Sequence, residues 1–154
     1  MKNKLALPLA LICIFTFGAG AQTRTRKTPV KPKPKPAVLA TGAVKTPSGL
    51  IYLITQKGTG RLPKVGETVV VHYTGTLTNG VKFDSSRDSG RPYAFPLGKG
   101  QVIKGWDEGI GKLHVGDQAI FVVPSSLGYG PRGRGPIPAN ATMVFIVELV
   151  EIKE

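Results

Sequence analysis

Residues 104–113 read KGWDEGIGKL, the one segment of the sequence in which a helix is plausible. Trp106, Ile110 and Leu113 recur at helical spacing, so they share one face of a short predicted helix. The three glycines in the stretch each oppose helix formation by about 1 kcal/mol relative to alanine. Such a helix forms only where it is packed, and glycines allow it to lie close to a sheet. The stretch therefore predicts one short helix against a sheet.

Outward from this helix, the other regular elements that the sequence indicates are short strands, in keeping with 20 glycines and 13 prolines. In 67–75, Val69, Val71 and Tyr73 alternate with polar residues in the two-residue period of a strand. Asn79-Gly80 follows and predicts a tight hairpin with positive φ at both turn residues. Further extended segments are predicted at 50–54, 81–83, 95–97, 119–123 and 143–152. The predicted fold class is α+β, with a curved antiparallel β-sheet wrapped around one short α-helix.

The first 21 residues are predicted to be a signal peptide. Lys2 and Lys4 precede the uncharged, mostly apolar segment 5–21, which ends in the small-x-small cleavage pattern Ala19-Gly20-Ala21. The alternative is a membrane tether formed by an uncleaved segment, although the apolar stretch is slightly short for a span. We therefore expect an exported, periplasmic protein. Cleavage would remove Cys13, the only cysteine, so neither a disulfide nor thiol chemistry is expected.

Residues 22–46 are predicted to be a disordered basic linker in front of a domain at 47–154. The linker carries seven basic and no acidic residues, whereas the domain carries twelve basic and nine acidic ones. The +12 formal charge of the chain therefore lies mainly outside the domain. The Lys-Pro alternation at 31–36 favours an extended spacer. We interpret it as a solvated tether, with contact to anionic envelope surfaces as the alternative; nucleic acid is not an expected partner of an exported chain.

The sequence gives little support for nucleophilic, metal or redox catalysis. Ser125 and Ser126 lack the G-x-S-x-G setting of a nucleophile, and His72 and His114 lack the spacing of metal ligands. No metal and no cofactor are therefore expected. The acidic pair Asp107-Glu108 is interpreted as a solvated face that suits the helix dipole.

A set of apolar and aromatic residues on separate elements remains to be explained. Packing in the core accounts for many of them, but less well for Trp106, the only tryptophan, and for Tyr129 in a glycine-rich loop. A tyrosine at that place would carry its hydroxyl to the rim of an apolar cavity. The set comprises Tyr73, Phe83, Tyr93, Phe95, Val102, Ile103, Trp106, Tyr129, Ile137 and Phe145.

Five sequence blocks resemble, in the expected order, the FKBP-type peptidyl-prolyl isomerases. The blocks are VHYTG at 71–75, KFDSSRD at 82–88, LGKGQVIKGWDEG at 97–109, GYG at 128–130 and IPANAT at 137–142. The resemblance covers the whole predicted domain, and five ordered blocks are far more specific than one motif. It implies a half-barrel sheet over a short helix, with an apolar pocket between them.

The resemblance also implies roles for the pocket residues. Trp106 would form the floor, Asp84 and Tyr129 would place polar groups at the edge, and the Ile103 backbone N–H would bind a substrate carbonyl. These four are the expected catalytic residues. The expected substrate-binding residues are Tyr73, Phe83, Tyr93, Phe95, Val102, Ile137 and Phe145. Compared with the best-known small members, the loop 131–136 is one residue shorter and carries Arg132 and Arg134.

Such a pocket suits a reaction that breaks no covalent bond. Rotation about a peptide bond faces a barrier of roughly 18–20 kcal/mol, because resonance gives the C–N bond double-bond character. A dry aromatic pocket disfavours the charge-separated resonance form while it holds the proline ring. We therefore predict a prolyl isomerase that assists the folding of exported proteins, acts on proline-containing polypeptides and is open to macrolide inhibitors. No helical dimerisation arm is evident, so a monomer is expected.

Two alternatives remain open at this point. The same pocket could serve a chaperone or scaffold module that binds proline-containing segments with little turnover. Alternatively, the basic tail could make the chain an envelope-binding protein.

Overall fold

The computed structural model describes residues 42–153, and the chain folds there into seven strands and one α-helix. The predicted signal peptide and most of the predicted linker lie outside the described residues. In chain order the elements are β1 Val44–Lys45, β2 Ile51–Gln56, β3 Thr68–Leu77, β4 Lys82–Ser85, β5 Tyr93–Pro96, α1 Lys104–Ile110, β6 Gln118–Val123 and β7 Met143–Lys153. Two 3₁₀ turns, Ser125–Leu127 and Gly130–Arg132, lie between β6 and β7.

The strands form one antiparallel sheet in the order β1-β2-β6-β7-β3-β4, and β5 also pairs with β3. Strand β3 is long enough to carry two partners on one edge. Its first half pairs with β5, with Val69 opposite Phe95, and its second half pairs with β4, with Gly75 opposite Asp84. Strand β7 follows the other edge of β3 and also pairs with β6. The predicted antiparallel α+β fold is confirmed.

Helix α1 lies against the sheet at the close distance that its glycines allow. A Cβ atom on Gly105 would lie 2.7 Å from Val123 Cγ1, and one on Gly109 would lie 2.8 Å from Phe121 Cε2. Real Cβ atoms do not approach other atoms this closely, so both positions need glycine. The helix ends at Ile110, three residues before the predicted end, but Leu113 is still fully buried in the core.

The hairpin between β3 and β4 turns through three residues, not two. Gly80 N–H donates to the Leu77 carbonyl (2.8 Å), and Leu77 N–H donates to the Val81 carbonyl (2.9 Å). Gly80 has a φ of 85°, whereas Asn79 does not adopt positive φ. The prediction of two positive-φ residues is therefore wrong. Asn79 instead accepts the Val81 N–H on its side-chain Oδ1 (3.0 Å), which stabilises the turn without a left-handed backbone.

The sheet includes residues that precede residue 47. Strand β1 pairs with β2, with Val44 opposite Tyr52. Thr46 is buried, and its N–H donates to the Leu50 carbonyl at 2.8 Å. The last residues of the predicted linker thus form one edge of the sheet. Within 42–153 no helix is long and apolar enough to cross a membrane.

Candidate active site

The indole of Trp106 is the centre of an aromatic cluster between helix and sheet. It is only 5% exposed. Its ring centroid lies 4.8 Å from that of Tyr73 and 5.3 Å from that of Phe145, with interplanar angles of 78° and 79°. Phe95 and Tyr93 follow at 6.0 and 6.5 Å. These edge-to-face and tilted contacts are the favourable geometries for aromatic rings, so strands β3, β5 and β7 all contribute to one ring-lined site.

Two further ring contacts extend the cluster towards solvent. Phe83 on β4 meets Phe145 edge-on at 5.6 Å. Tyr93 stacks on Phe95 at 5.6 Å and is 42% exposed. Tyr93 therefore lies at the mouth of the site, whereas Phe95 and Trp106 lie in its interior.

Gly75 makes the contact between Phe83 and Phe145 possible. A Cβ atom at this position would lie 2.7 Å from the Phe83 ring and 2.9 Å from the Phe145 ring. This role of Gly75 was not predicted, although Gly75 ends one of the family-like blocks. The glycine in that block was a signal of close packing, but only the structure shows that the Phe83 and Phe145 rings contact each other beside it.

The remaining predicted pocket residues border the same core. Val102, Ile103 and Tyr129 are half-buried and pack against it, and Ile137 is buried. Asp84 is exposed at the edge. Ring contacts join Tyr73, Tyr93, Phe95 and Phe145 to Trp106 directly, whereas the roles of the other residues in a substrate site stay predictions.

The Ile103 backbone is arranged as the start of α1. Its carbonyl accepts the N–H groups of Trp106 (2.9 Å) and Asp107 (3.3 Å), as expected of a residue that caps a helix. Its own N–H makes no hydrogen bond to any group in residues 42–153. A half-buried donor in this position is suited to a carbonyl of a bound ligand.

Tyr73 and Asp84 form the polar edge of the cluster together. The Tyr73 hydroxyl donates to Asp84 Oδ2 at 2.6 Å. Burial, and then this hydrogen bond to a carboxylate, raise the pKa of Tyr73 well above its usual range. Tyr73 is therefore a neutral donor at physiological pH. The family resemblance implied an edge position for Asp84, but its bond to Tyr73 was not predicted.

Asp107 holds the segment that leads into the site. Its Oδ1 accepts the Gly98 N–H at 2.9 Å, and its Oδ2 accepts the Gly100 N–H at 3.0 Å. The interpretation of Asp107 as a first-turn residue that suits the helix dipole did not include these two bonds. Its carboxylate fixes the loop before Val102 and Ile103, and so acts as a positioning group for the pocket wall.

The loop after Tyr129 is closed by backbone hydrogen bonds. Arg134 and Ile137 exchange two bonds of 2.9 Å, and Asn140 N–H donates to the Gly130 carbonyl at 2.9 Å. The Arg134 guanidinium carbon lies 5.7 Å from the centroid of the Tyr129 ring, within the range of a cation–π contact. Tyr129 is thereby held at the rim.

An open cavity of about 520 Å³ adjoins the cluster at Phe83 and Asp84. Its other lining residues are Lys82, Ser85, Asp88 and Ser89. The volume is within the range of small-molecule sites. Among residues 42–153, no group of histidine, cysteine, aspartate and glutamate side chains is arranged to hold a metal ion. The site offers an apolar ring-lined surface with a few polar groups at its edge.

The fold and this site together define a class of protein, namely a curved antiparallel sheet over one short helix with an aromatic cluster between them. A family model described as FKBP-type peptidyl-prolyl cis-trans isomerase matches residues 59–150. The chain belongs to this family, and the predicted prolyl isomerase is confirmed at the level of the family.

Individual relatives support the same assignment. FK506-binding protein 1 of Dictyostelium discoideum is 53% identical over 106 residues, which cover 68% of this chain and 99% of that protein. The FKBP-type isomerase FkpA of Aeromonas hydrophila is 53% identical over 113 residues, 73% of this chain and 41% of that protein. The crystal structure of FkpA from Escherichia coli matches with a TM-score of 0.69 and 42% identity, over 73% of this chain and 52% of that one.

Proposed function

We propose that the Trp106 cluster holds the proline ring of a polypeptide while the preceding peptide bond rotates. The observation that carries this proposal is a 5% exposed indole in contact with four aromatic rings from three strands. An apolar ring fits such a surface, and proline carries no N–H that would need a partner there. The uncatalysed rotation takes tens to hundreds of seconds, so a catalyst of it matters for folding.

The polar groups at the rim supply the differential binding that catalysis requires. The Ile103 N–H would bind a substrate carbonyl, and the Tyr129 hydroxyl and the Asp84 carboxylate would face the rotating amide. Bonds that are stronger in the twisted state than in the planar states lower the barrier. No proton or electron pair needs to leave the substrate, which agrees with a site of few ionisable groups.

A prolyl-isomerisation assay on a short peptide tests this assignment. We expect Trp106→Leu to lower kcat/KM by at least about tenfold, which corresponds to ~1.4 kcal/mol of transition-state binding. We expect Tyr129→Phe to lower it less, by two- to tenfold, since only the hydroxyl is lost. Tyr52→Phe is the matched control, because Tyr52 lies on β2, which contributes no ring to the cluster.

The outcome also separates turnover from binding. Far-UV circular dichroism of each variant shows whether a lower kcat/KM is caused by loss of the folded structure. A wild-type rate equal to that in buffer, with peptide binding retained, would favour the chaperone or scaffold alternative.

The relatives named FK506-binding protein suggest which inhibitors to try. We propose that the aromatic cluster of this chain also binds FK506. Competition of FK506 with the peptide for the wild-type protein, but not for Trp106→Leu, is the expected result.

We further propose that the protein is exported, acts in the periplasm on folding proteins and is monomeric. The signal-like pattern of residues 1–21 supports export. Mass spectrometry of the periplasmic protein should show a chain that begins at Gln22, and light scattering should give the mass of one chain. If the full-length chain stays with the membrane, the uncleaved tether is the correct interpretation. Salt-sensitive binding to anionic vesicles would assign the basic linker to envelope contact.

A further inference from the structure

The loop between Tyr129 and Ile137 brings two positive charges to the rim of the site. Arg132 and Arg134 are both exposed, and neither forms an ion pair with a carboxylate of residues 42–153. Two cations on or next to β4 differ in this respect. Lys82 bonds to Asp88 at 2.6 Å, and Arg87 is paired with Glu148. The two loop arginines therefore carry unneutralised charge beside the pocket.

The loop backbone fixes where these charges lie. Arg134 is tied to Ile137 by two hydrogen bonds, and Ile137 is itself only 6% exposed. Gly133, between the arginines, has a φ of 65°, and a Cβ there would lie 2.4 Å from the Ile137 carbonyl oxygen. The turn is therefore tight and specific to glycine. The Arg134 contact with the Tyr129 ring then places a guanidinium next to a proposed catalytic residue.

The opposite sign of charge is found on a different element of the rim. Asp84 on β4 is bonded by the neutral Tyr73 hydroxyl and has no cationic partner among the described residues. An acidic residue in a bound polypeptide would be repelled on the β4 side and attracted on the side of the Tyr129 loop. The rim is thus electrostatically asymmetric, and such asymmetry gives specificity more than affinity.

We propose that Arg132 and Arg134 make the enzyme prefer polypeptides with an acidic residue within about three positions of the proline. Three extended residues span roughly 10 Å. This is about the distance over which salt at 0.1 M ionic strength screens an exposed charge. This inference names the substrate class of the proposed prolyl isomerase and rests on that function. It assigns a specificity-determining role to the two arginines, separate from the aromatic cluster.

The test is a peptide series in which glutamate, glutamine or lysine is placed at each position from three before to three after the proline. At low ionic strength we expect glutamate at one or more positions to raise kcat/KM about two- to fivefold over glutamine, the size of an exposed ion pair. Lysine there should lower it. The preference should vanish near 1 M salt, where the screening length is about 3 Å.

Variants of the full-length protein assign the effect. Arg132→Gln and Arg134→Gln should each reduce the ratio of kcat/KM on the glutamate peptide to kcat/KM on the glutamine peptide. The ratio isolates the charge effect, because Arg134 also contacts the Tyr129 ring and its loss is expected to lower the rate on every peptide. Arg134→Lys keeps the charge and should keep most of the preference. Lys57→Gln is the matched control, because it removes one positive charge far from the Tyr129 loop. Its neighbour Gln56 pairs with Gln118 at the first residue of β6, whereas the Tyr129 loop follows the last residue of that strand.

Three results would overturn the inference. The first is equal kcat/KM of the wild type on the glutamate and glutamine peptides. The second is a preference for glutamate that remains in both Arg132→Gln and Arg134→Gln. The third is a loss of this preference in Lys57→Gln as large as in the two arginine variants. If the wild type turned over no peptide, the proposed function would fail, yet the charge preference could still be measured. The Kd values of the same peptides, read from Trp106 fluorescence, would then show or exclude it.

Discussion

At the scale of single residues, Tyr73 links the aromatic cluster to the polar rim. Its ring contacts the Trp106 indole, while its hydroxyl is bonded to Asp84. Burial and this bond both favour the neutral phenol, so the pKa of Tyr73 is raised above its ordinary value of about 10. A group with a raised pKa in the folded state stabilises the fold below the unfolded-state pKa, and that stabilisation is lost as the pH rises.

We therefore expect the free energy of unfolding to fall as the pH is raised above about 10. Urea unfolding of the wild type and of Tyr73→Phe at pH 9 and pH 11 measures this contribution. The variant should lose less stability between the two values, because a phenylalanine has no proton to release. An equal loss in both proteins would show that other groups dominate.

Absorbance titration at 295 nm gives an independent check of the same residue. Tyr73 should ionise at a pH above the ordinary tyrosine pKa of about 10. We expect Asp84→Asn to lower the pKa of Tyr73, since the carboxylate that disfavours the phenolate is removed. Burial remains, so the pKa should stay above the ordinary value.

Residues differ in how well their roles could be predicted. Trp106 and Tyr129 stood out because a lone tryptophan and a tyrosine between glycines are chemically unusual in the sequence. The position of Asp107 in the first helical turn suggested a role in the helix dipole. Its two hydrogen bonds could not be predicted, because the donors are backbone N–H groups of a loop, which every residue except proline carries. The role of Gly75 could not be predicted either, because it depends on contact with the Phe83 ring of another strand.

At the scale of elements, α1 is stabilised by its contact with the sheet and not by its own composition. We expect Gly105→Ala and Gly109→Ala each to destabilise the domain by about 1–3 kcal/mol, because the added methyl group overpacks against Val123 or Phe121. This loss exceeds the gain of about 1 kcal/mol in helix propensity. Urea denaturation measures the difference.

Gly111→Ala is the control for this prediction. Its Cβ would lie 3.4 Å or more from its neighbours, and its φ is −61°. Its effect should therefore be small or stabilising. Destabilisation by all three alanines to the same extent would point to backbone effects instead of packing.

The segment before α1 gives a second prediction at this scale. Asp107→Ala removes two charge-assisted hydrogen bonds, so we expect a loss of about 1–2 kcal/mol in stability. We also expect a fall in kcat/KM at temperatures where the variant is fully folded, because Val102 and Ile103 lose their support. Glu108→Ala is the neighbouring control. Among residues 42–153, the one side-chain hydrogen bond that it removes is that from Ser48 Oγ (2.5 Å), and the rate should not change.

At the scale of the whole molecule, the class of fold could be predicted but the order of strands could not. Alternation and turn residues indicate where strands are, because both are local. The position of β7 between β6 and β3 depends on contacts between distant residues, which local patterns do not encode. Strand β1 was missed because two residues are too short to show a period, and the Lys-Pro tract nearby suggested a linker.

The edge strand leads to a prediction about the domain boundary. A protein that begins at Gly42 should have the stability of the full-length chain. One that begins at Ser48 should lose about 1–2 kcal/mol, because it lacks β1 and the buried Thr46 with its hydrogen bonds to Leu50. Thermal unfolding of the two fragments measures the difference; identical melting curves would show that β1 adds nothing.

Strand β7 also determines when the site can form during synthesis. The ribosome releases residues 143–153 last among those described, yet Phe145 supplies a wall of the aromatic cluster and the strand bridges two others in the centre of the sheet. A nascent chain that stops short of them has neither a complete sheet nor an enclosed indole. Isomerase activity therefore requires β7 to be in place, and a chain without residues 143–153 cannot enclose the Trp106 indole.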